Sequence, residues 1–244
     1  MCGPEDGTPL VLLHGGGATS TAWFANVAAL SATHRVYAVD LIGDVGRSVP
    51  GGLPLRRVQD LTAWLNDLLD RLDLRQTDLC AHSYGTWIAL TYALHAPARV
   101  RRLALLDPTQ CFAGFRSGYL LRALPLLVRP SAARARAFLD WETDGAADAG
   151  WSELFALGQA GFPRAKVVTG PRPKATRLRA LSIPTLVLLA GRSRAHDAER
   201  VAAAVTRVMP RAAAVVLPGV SHHAVPMAEA ARLNELLTGF LRQP

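Results

Sequence analysis

The sequence predicts an α/β protein built on a doubly wound, mostly parallel β-sheet. Two observations lead to this fold class. Six short runs rich in Val and Leu recur along the 244 residues, and such runs are typical of strands buried on both faces of a parallel sheet. Segments with helical spacing of apolar residues separate most of these runs, and strand–helix alternation indicates a doubly wound sheet.

The strands and helices are predicted from these two patterns, in chain order. In segment 58–72, for example, apolar side chains recur at helical spacing with Asp60, Asn66 and Asp67 between them. Segment 84–95 is apolar nearly all round, which predicts a buried helix that Pro97 ends. The predicted strands are 9–13, 35–41, 77–81, 100–106, 184–189 and 213–217. The predicted helices are 20–30, capped by Ser20 or Thr21, and 58–72, 84–95, 197–208 and 228–241.

Segment 109–181 breaks the alternation, because it contains no clear strand. It is rich in aromatic residues, and Pro125, Pro130 and Pro163 interrupt its helical patterns. We therefore predict a helical lid over 109–181, inserted into a core formed by 1–108 and 182–244. The aromatic side chains are expected to form the core of this lid and to line a pocket beneath it.

Composition narrows the classes of function. The net charge is +8, but nearly all cations are arginines, and the sequence lacks the basic runs interleaved with aromatics that bind nucleic acids. An anionic substrate remains an open alternative, because many of the arginines fall in one middle segment.

No run of consecutive apolar residues approaches ~18 in length, so no membrane partner is predicted. With no secretory signal at its start, and with only Cys2, Cys80 and Cys111, we expect a cytoplasmic protein without disulfides or a metal site.

Polar residues with catalytic chemistry follow several predicted strands. Ser83, Asp107 and His222 each lie at or just beyond the carboxyl end of a strand, where ligands bind in this type of sheet. A serine needs a base within hydrogen-bond reach, and an acid to orient the base, to attack a carbonyl carbon. The backbone N–H groups of Tyr84 and Gly16 are the expected oxyanion donors.

The chain resembles the α/β-hydrolase fold family nearly end to end. The resemblance implies that Ser83 is the nucleophile and His222 the base, in the order serine, acid, histidine. It also implies that the insertion shapes the substrate pocket. The motifs that carry it are HGGG at 14–17 followed by Trp23, DLIGDVGRS at 40–48, AHSYG at 81–85, HAPARVRRLALLDP at 95–108 and PGVSHH at 218–223.

Three departures from the family pattern bear on the site. Ala81 replaces the first glycine of the G-x-S-x-G elbow, and we expect the bend to persist. Arg194 occupies the usual place of the acid, which leaves Asp107, Asp197 or no working acid as alternatives. The family usually has a strand pair before the HG loop, and only MCGPEDGT precedes the first predicted strand here, so either the start is trimmed or the sheet lacks that pair. If the sheet lacks it, segment 35–41 is expected at an exposed sheet edge, and a homodimer is a further expectation.

The predicted function is that of a cofactor-free serine hydrolase acting on a small or medium carboxylic ester, lactone or thioester. Two alternatives stay open: a non-hydrolytic or carbon–carbon bond-cleaving enzyme of the same fold, and a catalytically silent protein that binds a small molecule. Non-catalytic roles are expected for several neighbours of the site. These are His82 as a packing residue or a support for the neighbouring groups, His14 as a brace of its loop, Asp40 and Ser48 as turn and cap groups, and Trp87 as a core residue. His223 is the one close rival of His222 as the base.

Overall fold

A computed structural model describes residues 1–49, 51, 55–162 and 167–243, and its centre is a parallel β-sheet. The described residues form one six-stranded sheet in the order β2-β1-β3-β4-β5-β6, with every neighbouring pair parallel. The predicted fold class is confirmed, and strand ends differ from prediction by at most two residues. The strands are β1 Thr8–Leu13, β2 His34–Val39, β3 Thr77–His82, β4 Val100–Leu106, β5 Thr185–Ala190 and β6 Ala213–Leu217.

The helices cover both faces of the sheet. One apolar layer lies between the sheet and α2, α3 and α8, and it includes Trp87 as predicted. The other lies between the sheet and α1 and α9. The α-helices of the described residues are α1 Val27–Leu30, α2 Val58–Arg71, α3 Tyr84–His95, α4 Ser117–Val128, α5 Ala132–Thr143, α6 Ala149–Gly161, α7 Ala175–Ala180, α8 Ala198–Val208 and α9 Ala230–Leu241.

The predicted helix over 20–30 is wrong as a single element. A 3₁₀ turn, Ser20–Trp23, precedes the short α1, and Thr19 caps that turn instead of Ser20 or Thr21. The break lies at Asn26, whose N–H bonds to Trp23 only three residues back. Its side-chain amide donates to Asn234 of α9 at 2.9 Å, so this residue is held by a tertiary contact.

Strand β2 forms one edge of the sheet, as predicted for segment 35–41. The chain's own N-terminal residues cover part of that edge, because Cys2 and Val36 exchange backbone hydrogen bonds in an antiparallel bridge. Such a bridge satisfies backbone groups that an open edge would offer to another chain. The homodimer stays a prediction.

Segment 109–181 contributes α4 to α7 between β4 and β5, and its described part contains no strand. We call it the insertion. Pro125 does not interrupt α4 as predicted but lies inside it. A proline lacks an N–H for the carbonyl four residues earlier, here that of the solvent-exposed Leu121, where water can replace the missing bond. Pro130 lies between α4 and α5, and Pro163 lies outside the described residues.

Within the described part of the chain, no helix is both long enough and apolar enough to cross a lipid bilayer.

Candidate active site

Ser83 occupies a sharp bend between β3 and α3. Its backbone has φ 50° and ψ −118°, a conformation that a non-glycine residue rarely adopts. Gly85 lets the start of α3 lie close to the end of β1, since a Cβ there would be 2.5 Å from the carbonyl oxygen of His14. Ala81 fits fully buried in β3, so the bend persists without the first glycine of the motif, as expected.

Ser83, His222 and Asp107 form a chain of hydrogen bonds. The Ser83 Oγ lies 2.8 Å from His222 Nε2, and His222 Nδ1 lies 2.6 Å from Asp107 Oδ2. The three residues come from the ends of β3 and β4 and from the loop after β6. With Nδ1 protonated, His222 donates to the carboxylate and accepts the serine proton at Nε2, which is the arrangement a base requires.

Asp107 is fully buried at the end of β4 and is held by several donors. Its Oδ1 accepts the N–H of Ala190 at 2.9 Å, and its Oδ2 accepts the hydroxyl of Ser193 at 2.8 Å. The His196 Nε2 lies 3.2 Å from Oδ1. Burial disfavours the charge of this carboxylate, but His196 and His222 hold its pKa well below the usual range. Asp107 is therefore ionised at neutral pH.

Asp197, the alternative acid, performs a different task. Its carboxylate accepts the N–H of Arg200 at 3.1 Å and so caps the N-terminus of α8. It also pairs with the exposed side chain of Arg116 at 3.1 Å. Arg194, at the usual position of the acid, pairs with Asp144 at 2.7 Å. Of the carboxylates weighed from the sequence, Asp107 is the one placed on His222.

The pKa of His222 is raised above its ordinary value of 6.5. Burial alone would lower it, since a buried imidazolium loses its hydration. The hydrogen bond and the charge of Asp107 outweigh this loss, and the charge of Glu142 adds to them. His222 is thus a stronger base than a histidine in water.

The glycine-rich loop after β1 lies beside the start of α3. A Cβ on Gly16 would be 3.6 Å from the Cβ of Tyr84, so these two backbones are neighbours. Tyr84 is the first residue of α3, and its N–H has no acceptor within the helix. Among the described residues, neither this N–H nor that of Gly16 makes a hydrogen bond, which leaves both able to bind an oxyanion.

Side chains around the loop fix its position. His14 braces it as predicted, because its Nδ1 bonds to Gly15 O at 2.8 Å and its Nε2 accepts the N–H of Leu41 at 2.9 Å. Asp44 accepts the N–H of Gly17 at 2.8 Å. Gln159 of α6 donates to the carbonyl oxygen of Gly17 at 3.0 Å. The insertion therefore contacts the loop directly.

Asp40 and Ser48 have the turn and cap roles that the sequence predicts. Asp40 accepts the N–H groups of Ser20, at the start of the 3₁₀ turn, and of Arg47. The Ser48 hydroxyl donates to the carbonyl oxygen of Asp40 at 2.6 Å. These bonds tie the loop after β2 to the rim of the sheet.

Two further residues contact the backbone of His222. The Nε2 of His82 donates to the His222 carbonyl oxygen at 2.8 Å, a supporting contact that is one of the two roles expected for this residue. Glu142, at the end of α5, accepts the N–H of His222 at 3.0 Å and that of His223 at 2.9 Å. Sequence reasoning missed Glu142, because a single glutamate in a helix carries no signal of such a contact.

Asp107, His196 and His222 are the described side chains that could supply a set of three metal ligands, with ligand atoms within 4.8 Å of one another. The short hydrogen bond between His222 and Asp107 occupies two of these atoms, and a metal ion placed between them would break it. The arrangement fits an acid–base pair better than a metal centre.

The aromatic residues of the insertion serve mainly as its core. The rings of Tyr119, Phe138, Trp151 and Phe155 are buried there, and Tyr119 packs edge-on against His222 with ring centres 6.1 Å apart. Tyr119 and Trp141 also line an open cavity of about 490 Å³. That cavity is lined by Arg116, Ser117, Gly118, Tyr119, Trp141 and Arg194.

Comparison with known proteins shows which family the chain resembles over most of its length. A model of the alpha/beta hydrolase family matches residues 10–236. The uncharacterized carboxylesterase nap of Bacillus subtilis is 37% identical over 139 residues, which are 57% of this chain and 45% of that protein. Carboxylesterase YbfK of the same organism is 35% identical over 146 residues, or 60% of this chain and 48% of YbfK. The matched segments thus span about half the length of these relatives.

Superposition on solved structures covers more of the chain than the sequence matches do. The naproxen esterase of Bacillus subtilis superimposes with a TM-score of 0.90 at 28% identity, covering 99% of this chain and 86% of the esterase. Carboxylesterase CesB (YbfK) of Bacillus subtilis gives 0.90 at 25% identity with the same coverage.

Proposed function

The chain belongs to the α/β-hydrolase family, and from that premise we propose that it is a serine hydrolase of carboxylic esters. The observation that carries the proposal is the chain of hydrogen bonds from Ser83 through His222 to Asp107. Ser83 is the nucleophile, His222 the base and Asp107 the acid that orients the base. In this proposal Asp197 is a helix cap and takes no part in catalysis.

The proposed reaction passes through an acyl-enzyme. The Ser83 Oγ attacks the ester carbonyl carbon while its proton moves to His222 Nε2. The N–H groups of Gly16 and Tyr84 bind the resulting oxyanion. When the intermediate collapses, the leaving alcohol takes the proton from His222. Water then attacks the acyl carbon, His222 accepts its proton, and Ser83 is regenerated as the carboxylic acid departs.

Asp107 contributes by its charge and its fixed position. Its bonds to Ala190 and Ser193 hold the carboxylate while it binds His222 Nδ1–H. This fixes the tautomer in which Nε2 is free to accept a proton. The negative charge also stabilises the imidazolium that forms in each step. All groups of this mechanism are protein side chains or backbone N–H groups, so no cofactor is needed.

The proposed substrates are small or medium carboxylic esters, lactones or thioesters. The carboxylesterase names of the two Bacillus subtilis relatives support the ester class. We propose that the insertion acts as a lid that shapes the acyl or alcohol pocket. Its contacts with the glycine loop through Gln159, and with His222 through Tyr119, support this proposal.

The test is labelling with a fluorophosphonate probe, read by intact mass, together with hydrolysis of p-nitrophenyl acetate and butyrate. We expect one adduct and ester turnover for the wild type, and neither for Ser83→Ala. Ser117→Ala, which changes an exposed serine of the insertion, is the matched control and is expected to behave as the wild type. Folded wild type that forms no adduct would refute the nucleophile assignment. An adduct without ester turnover would favour carbon–carbon bond cleavage or non-hydrolytic chemistry instead.

A further inference from the structure

Glu142 is a buried carboxylate that the mechanism above does not use. It is 1% exposed and lies in the last turn of α5, within the insertion. Burial opposes an ionised carboxylate, and the C-terminal end of a helix is the negative end of its dipole. Two unfavourable features at one residue require strong compensating contacts.

Three N–H groups supply that compensation, and all come from two adjacent residues. Oε1 accepts the N–H of His222 at 3.0 Å. Oε2 accepts the N–H of His223 at 2.9 Å and its ring Nδ1–H at 3.1 Å. Burial alone would raise the pKa of Glu142, but the His223 contacts lower it below the usual value. The carboxylate is therefore ionised where it meets the loop.

His222 is held through its backbone on both sides. Glu142 accepts the backbone N–H of His222, and His82 donates to the backbone carbonyl oxygen of His222 at 2.8 Å. One contact comes from the insertion and the other from the sheet. With both flanking peptide groups fixed, the imidazole has little freedom to leave Ser83 and Asp107.

We propose that Glu142 is a positioning residue for His222, so that the insertion forms part of the catalytic frame. The inference rests on the proposed function, because it assigns a role in the reaction of Ser83. A displacement of the base by 1 Å can slow a reaction about a hundredfold. The contrasting role is purely structural: the His223 ring packs against Tyr119, Phe138 and Phe155, and Glu142 would then only fasten the insertion to this ring.

Substitutions at Glu142 can separate the effect of its charge from the effect of its contacts. That charge raises the pKa of His222 together with Asp107. Replacing Glu142 by Gln removes that charge and one or more of the three acceptor contacts, while the side-chain volume stays nearly constant. The groups that face His222 from all surrounding elements are Ser83 and His82 at the end of β3, Asp107 after β4, His196 after β5, Tyr119 of α4, Glu142 of α5 and the neighbouring His223.

The experiment follows the His222 ring by NMR titration and the rate of fluorophosphonate labelling, in wild type, Glu142→Gln and Glu142→Asp. We expect Glu142→Gln to lower the pKa of His222 and to slow labelling about tenfold to a hundredfold. Glu142→Asp keeps the charge but is too short to reach every donor, so it should slow labelling with a smaller change in that pKa. Glu153→Gln, on the exposed surface of α6, is the control and should change neither quantity.

The outcomes distinguish this proposal from the proposed function. Labelling of the wild type, together with an unchanged labelling rate in both Glu142 variants, would overturn the positioning role and leave the hydrolase intact. A shifted His222 titration in Glu142→Gln alone would not rescue that role, because loss of a nearby charge lowers this pKa in either case. A wild type that is not labelled would refute the hydrolase, while a His222 titration that also shifts in Glu142→Asp, which keeps the charge, would still support the positioning of this ring. If neither Glu142 variant folds, the role is structural and the proposal fails.

Discussion

The carboxyl edge of the sheet and the helical insertion both contact His222, but they do so in different ways. The sheet edge supplies the groups that bind its ring, Ser83 and Asp107, from the ends of β3 and β4. The insertion supplies Glu142, which binds its backbone, and Tyr119, which packs on its ring. The proposed chemistry thus belongs to the sheet edge, and the fixing of its geometry is shared with the insertion.

The difference shows how the two regions are constrained. Strand ends in a parallel sheet meet at one edge, so short turns after β3 and β4 suffice to bring Ser83 and Asp107 together. The insertion has an apolar cluster apart from the two layers on the sheet, and Ala18, Ala22 and Ala195 of the core join that cluster. The insertion reaches the site through a few single side chains, Tyr119, Glu142 and Gln159, and each is placed by the helix that carries it. Changes at the sheet edge should therefore have larger effects than changes in the insertion.

The largest loss of activity is expected when the proposed acid, Asp107, is replaced. Asp107→Asn removes the charge that orients His222 and should lower kcat/KM for a p-nitrophenyl ester about 10³- to 10⁴-fold. Asparagine tolerates the positive φ of 44° at this position, so circular dichroism should show a folded protein. Asp197→Asn is the matched control at the cap of α8, and it should keep kcat/KM within about twofold because an asparagine also caps helices. A larger loss at Asp197 than at Asp107 would reverse the assignment.

The next largest effect is expected in the pH dependence of kcat/KM. His222 acts as a base only when neutral, and its pKa is raised above 6.5 by Asp107 and Glu142 against the opposing effect of burial. The logarithm of kcat/KM should therefore fall as the pH falls through a value above 6.5. In Asp107→Asn the residual activity should show this acid limb at lower pH, since the stabilising charge is gone. If kcat/KM falls at the same acidic pH in the wild type and in Asp107→Asn, His222 is not the titrating base.

The acid limb should report His222 more than its neighbours. Burial lowers the pKa of His82 far below 6.5 and that of His223 below 6.5, in spite of the nearby carboxylates. Both rings are then mainly neutral at pH 7, and protonating them requires more acidic conditions than protonating His222. Measuring the profile with two esters of different leaving groups would show whether the limb belongs to the enzyme or to the substrate.

The sequence predicted the sheet edge well for a physical reason. A buried strand such as 100–106 can be recognised from its own run of Val and Leu residues. The turns that follow such strands place Ser83, Asp107 and His222 on one rim of the sheet. The sequence left the acid open, because the choice between Asp107 and Asp197 depends on which side chain reaches His222 in space. It missed Glu142 and Gln159 entirely. Their contacts depend on how the insertion packs on the core, and neither the periodicity of α5 nor that of α6 encodes that packing.

The smallest effect is expected where the insertion contacts the glycine loop. Gln159→Ala removes one hydrogen bond to the carbonyl oxygen of Gly17, next to the proposed oxyanion donor Gly16. A single neutral hydrogen bond contributes about 1 kcal/mol, so kcat/KM should fall about fivefold. Leu121→Ser, on the exposed face of α4, is the control in the same insertion and should leave kcat/KM unchanged because its side chain is 72% exposed. If Gln159→Ala matches this control, the insertion holds the histidine loop alone, and the glycine loop is positioned by His14 and Asp44.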